Sequence, residues 1–150
     1  MPTIHLGIQE LPYSLVDTTP VGNSDKSKSD MTTGDVAEIL EENYGVMEHF
    51  WERHEEDAVN AISDSLSSAF EAQLDGAPFN VSALEQGAKE VENLFKKFLE
   101  NREMDGLVGG VPTLAAIKGI SHRPKSVRKT PWVSFIDSGL YESSFRCWID

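Results

Sequence analysis

The chain has 150 residues, 39% of them hydrophobic and 9% aromatic, which is enough for one domain with a buried core. Its net charge of −12 excludes a sequence-reading DNA binder, which needs a basic surface to neutralise phosphates, and equally an anionic membrane surface as partner. Its single cysteine, Cys147, excludes an internal disulfide or a cysteine zinc site. There is no run of about 18 apolar residues to cross a membrane, and the N-terminus lacks the basic and apolar regions of a signal peptide, so synthesis in the cytoplasm is expected.

Ile4, Leu6 and Ile8 alternate with Thr3, His5 and Gly7 at the period of a half-buried strand, and Pro12 limits its extension. Residues 1–16 are therefore read as an N-terminal strand region. Residues 17–34 hold almost no apolar side chain and cannot bury enough surface to offset their ordering entropy, which predicts a linker or an extended arm. Either a loop along the surface or an arm reaching a neighbouring subunit fits.

The pattern then becomes helical. Val36, Leu40, Asn43, Met47, Phe50, His54, Ala58, Ile62, Leu66, Ala69 and Leu74 recur at three-four spacing, with Asp35 and Glu38 in an acidic first turn. An unbroken helix over 35–74 would be roughly 60 Å long, against about 40 Å for the diameter of a compact domain of this size. Either it bends, with Gly45 the predicted place, or it projects and packs on another chain. Phe50, Ile62, Leu66 and Phe70 are expected to face a second helix.

Residues 75–80 read as a turn, and Ser82 to Glu85 as a capping box that opens the second helix, with its stripe at Leu84, Ala88, Val91, Leu94, Phe95, Phe98 and Leu99. A short turn pairs the two antiparallel, as a helical hairpin over 35–105. Residues 106–150 read as loop, short helices and a C-terminal strand. Thr113 caps a short helix, and Asp137 or Ser138 caps a turn that carries Leu140 and Tyr141 into the core. Phe145, Cys147 and Ile149 then alternate with Arg146 and Trp148 as a strand, with Trp148 facing a neighbour or a second layer. Its partner is the N-terminal strand or residues near 107–111 or 131–136. The fold class is α+β, a single domain over 1–150: a long antiparallel helix pair on a small, mainly antiparallel sheet, with an extended N-terminal arm.

Residues around His49 and His54 are rich in metal-capable types, but those two histidines lie about 140° apart around a helix and form neither an HExxH pair nor a Glu-x-x-His pair. The stretch reads as a solvated acidic face, with His54 a core or interface histidine. No serine sits in a nucleophile elbow, the glycines at 106–110 lack the following Lys of a phosphate loop, and Cys147 falls at a buried strand position. No catalytic residue, cofactor or metal is predicted, and the chain is read as a non-enzyme.

Charge is segregated. Residues 35–57 carry nine carboxylates, including Glu41, Glu48, Glu52, Glu55 and Glu56, against Arg53 alone, whereas Lys118, Arg123, Lys125, Arg128 and Lys129 fill 118–129 with no acid. Such patches can pair within a chain or head to tail with the next copy, and two solvated faces fit equally well.

The run from Gly110 to Lys125, followed by Pro131 to Asp150, resembles the small neck and tail-completion proteins of tailed bacteriophages, whose sequences often end with Asp-Thr-Gly-Leu, a short helix and a strand. Asp137, Ser138, Gly139 and Leu140 stand at that motif, with Ser138 for its threonine, between Phe135 and the strand carrying Phe145 and Trp148. The resemblance implies a structural virion protein without catalysis, assembled as a ring of six or twelve copies at the neck or upper tail. It would join head to tail as a connector, collar or tail terminator. Its partners would be further copies of itself and neighbouring neck, tail-tube or sheath proteins, with DNA only as cargo through the lumen and no membrane. An acidic helical DNA mimic or host-takeover inhibitor, acting as a monomer or dimer, is the alternative.

Overall fold

Gly45 decides how the helical half of the chain is arranged. It takes a left-handed backbone, φ 58° and ψ 43°, which a residue without a Cβ adopts at no steric cost. The long helical pattern is thereby split into α1, Thr33–Tyr44, and α2, Val46–Leu74. The computed structural model describes residues 3–12, 31–78, 81–118, 133–136 and 139–149. The remaining elements are β1, Ile4–Ile8; α3, Val81–Glu100; α4, Leu114–Lys118; α5, Leu140–Ser144; and β2, Phe145–Ile149.

The helix pair is α2 against α3. Its crossing is close at Gly87, where an added Cβ would lie 2.7 Å from Ser65 Oγ and 2.9 Å from the Ala61 carbonyl oxygen. Further along, Phe50 of α2 meets Phe95 edge-on at 5.2 Å and Phe98 at 5.6 Å, so the helices run antiparallel. The two-stranded sheet pairs β1 and β2 antiparallel in the register Ile4 to Ile149, Leu6 to Cys147 and Ile8 to Phe145. It closes over α3: Phe145 stacks on Phe95 at 4.2 Å and meets Phe50 edge-on at 5.7 Å, while Tyr141 of α5 meets Phe95 at 6.0 Å. These aromatic rings, with Val46, Val91, Leu99 and Met104, form the core where both helices and the sheet converge.

The α+β class, the antiparallel helix pair and the pairing of the two terminal strands therefore stand as expected. Several details differ. The first helix begins at Thr33, not Asp35, because Thr32 is its N-cap and exchanges capping-box bonds with Asp35. Thr33 itself is buried: its hydroxyl donates to the Gln9 carbonyl at 2.6 Å and accepts from the Leu11 amide at 2.8 Å. The expected linker over 17–34 ends earlier, because Thr33 and Gly34 are helical, and Thr32 bridges to Pro12; residues 13–30 lie outside the described set. The hairpin is accordingly α2 with α3, and α1 packs separately beside β1 and α5. Val81 is already helical, which puts Ser82 inside the first turn of α3 and not at its cap. Ala69 takes the buried place expected of Phe70, which is 51% exposed; Leu66 is half-buried, and Leu74 is exposed. The core cluster reaches along α2 only as far as Ile62, so the last turns of the helix have less to pack against.

Candidate functional site

Two groups of residues stood out in the sequence, the motif before the last strand and the charged faces. In the first, Phe135 has a left-handed backbone, φ 69°, and its ring packs on Tyr44 of α1 at 5.2 Å. Asp137 and Ser138, the expected caps, lie outside the described residues. Gly139 occupies the N-cap position of α5 with φ 75°, without a side-chain cap bond, and its carbonyl accepts from the Ser143 amide at 3.1 Å. Leu140 opens the helix half-buried, Tyr141 and Phe145 are buried, and Ser144 closes the turn by donating from its hydroxyl to the Tyr141 carbonyl at 2.7 Å. The motif thus turns the chain from the α1 surface into the core and out along β2.

Trp148 points the other way. It is 48% exposed and stacks on His5 across the sheet, with ring centroids 5.3 Å apart. Its ring also lies over Gly7, where a Cβ would come within 3.1 Å. Cys147 is buried on the opposite face, and burial, together with the Glu92 carboxylate, pushes its thiol up to about 11. Glu92 accepts a hydrogen bond from the Cys147 amide at 3.2 Å.

The acidic residues divide by role. Glu41 does not belong to an open charged face: its carboxylate accepts from the Met47 amide at 2.7 Å and the Glu48 amide at 3.1 Å, capping the start of α2 across the Gly45 break. Glu48, Glu52, Glu55 and Glu56 are exposed along α2, with Glu52 beside His49 Nδ1 at 3.2 Å. Lys118 is exposed at the end of α4, whereas Arg123, Lys125, Arg128 and Lys129 lie outside the described residues, and with them the expected meeting of the two patches.

His54 is a structural histidine. Its ring packs on Phe50 and Phe98, Nε2 lies 2.9 Å from Glu103 Oε2, and Nδ1 lies 3.3 Å from Asp57 Oδ2. Among the described residues no group of three or more His, Cys, Asp or Glu side chains is placed to hold a metal ion, and no helix is long and apolar enough to cross a membrane. The Glu41 cap, the Glu92 contact and the His54 to Glu103 pair were not read from the sequence. Only the Glu41 cap had a local signal, a carboxylate four residues before a glycine break. No protein-family model, curated protein or solved structure matches the chain.

Proposed function

We propose that the chain is a structural, non-catalytic subunit of a tailed-bacteriophage virion that self-associates into a ring at the neck or upper tail. The observation that carries this reading is the placement of the C-terminal motif. The glycine-led turn at Gly139 and the strand Phe145–Ile149 supply Tyr141 and Phe145, two of the five buried aromatic rings among the described residues, while Trp148 stays on the outer face of the sheet. A terminal segment of that kind fixes a subunit and presents one large aromatic side chain to a neighbour. The acidic surface suits a lumen through which DNA passes without sticking. Electron micrographs of the purified protein test it: closed rings with a central opening are expected, and uniformly single subunits would contradict it.

One observation favours a second reading. Glu48, Glu52, Glu55 and Glu56 form an exposed carboxylate ladder on one stretch of α2, as a DNA mimic requires. A monomer or dimer that displaces duplex DNA from a basic DNA-binding protein would favour that class.

A further inference from the structure

The two edges of the sheet are treated differently. Gln9 donates its amide to the Ser144 carbonyl at 2.7 Å, which fixes the parity of the ladder: Gln9, Gly7 and His5 direct their backbone groups toward β2, and Ile8, Leu6 and Ile4 direct theirs outward. The same parity turns Phe145 and Cys147 of β2 outward. There the edge is covered, because Glu92 accepts from the Cys147 amide and Arg146 Nη1 donates to the Phe145 carbonyl at 2.8 Å. On β1, the outward backbone groups of Ile4, Leu6 and Ile8 have no partner among the described residues. That strand also lacks the devices that blunt an edge: Ile4–Ile8 contains no Pro, no Lys and no carboxylate.

We propose that the β1 edge is where a second copy of this chain docks, β1 against β1 antiparallel about a two-fold axis at Leu6, giving one four-stranded sheet. Three observations select a second copy as the occupant. The outward positions 4, 6 and 8 are symmetric about Leu6, so Ile4 of each copy falls opposite Ile8 of the other and every facing pair can exchange both backbone hydrogen bonds. Ile4 is 36% exposed, and beside Ile8 lies an open groove of about 510 Å³ in which Ala37 and Met47 are flanked by the carboxylates of Glu10, Asp35, Glu38 and Glu41, so the incoming Ile4 would meet Ala37 and Met47. The charge balance points the same way: in a chain of net charge −12, Ile4–Ile8 is a strand that two copies can bring together without carboxylate facing carboxylate. A two-stranded sheet also gains stability from further strands. The pairing rests on the self-association in the reading above and needs nothing from the virion; because it is two-fold symmetric it gives an even number of copies, and closing a ring takes a second, head-to-tail contact.

The test compares the full chain with Ile4→Glu, which sets a carboxylate against those of the groove beside Ile8, and Ile4→Pro, which removes an outward N–H without touching the ladder to β2. Sedimentation mass and amide hydrogen exchange are read on each. Expected are an even-numbered wild-type oligomer with slow exchange at Leu6 and Ile8, and half the mass or less for both variants, with circular dichroism unchanged. A wild-type oligomer whose mass both variants retain, or whose Leu6 and Ile8 amides exchange rapidly, overturns the pairing and leaves the ring standing. A wild-type dimer that the variants dissolve, with no larger assembly, supports the pairing and removes the ring. A chain that is monomeric alone, with its edge taken by an extended segment of another protein or by nothing, overturns both.

Discussion

Glu142 shows how one side chain can tie stability to pH. Its Oε2 is buried in α5 without a hydrogen-bond partner among the described residues, and burial raises its pKa above the ordinary 4.5; Lys96 pulls it back and Glu100 pushes it further up. Because the folded chain holds this proton to higher pH than the unfolded chain, the contribution is fully present below 4.5 and is lost as pH rises through the folded value. Glu142→Gln should therefore raise the urea midpoint at neutral pH, and the gain should vanish below 4.5. An equal gain at both pH values would contradict this account. Little of it was legible in sequence: residue 142 reads only as an acid in the first turn of a short helix, and the burial comes from how α5 is laid on α3. His54 was legible in kind, from its place on an apolar stripe. Its partner Glu103 lies 49 residues away and belongs to no local pattern.

At the scale of elements, α2 and α3 are locked by a close crossing and α1 and α2 by a shared cap. Gly87→Ala would bring two effects into competition. Alanine favours a helix by about 1 kcal/mol over glycine, but the new Cβ would meet Ser65 Oγ and the Ala61 carbonyl, and overpacking of this kind costs typically about 1 to 3 kcal/mol. The backbone carbonyl cannot rotate away, so the account expects a net loss of stability in denaturant unfolding; a net gain would mean the helices part easily. Glu41→Ala should cost about 0.5 to 2 kcal/mol, the range of a lost N-cap, by leaving the Met47 and Glu48 amides without their acceptor. No loss in the same measurement would show that water replaces the carboxylate. Periodicity announced both helices, and glycine announced their break, because helical spacing and left-handed backbone are local properties. α1 starts two residues before its local pattern does because Thr33 is held by Gln9 and Leu11, which no window around residue 33 contains. Phe70 is exposed for a related reason: the stripe on α2 runs past the end of what covers it.

The whole molecule depends on its last strand. Tyr141, Phe145 and Cys147 complete a core that α2 and α3 open but do not fill, and β2 is the described partner of β1. Deleting residues 139–150 should therefore abolish cooperative unfolding and give insoluble protein, whereas a truncated chain that melts cooperatively would show the segment to be a passive tail. Self-association is the property on which the ring, the exposed Trp148 and the open β1 edge agree, and the sedimentation mass of the purified full chain tests it most directly. The account predicts a defined multiple of 16.6 kDa that persists on dilution to micromolar concentration. A single species of 16.6 kDa at every concentration and salt strength would contradict it.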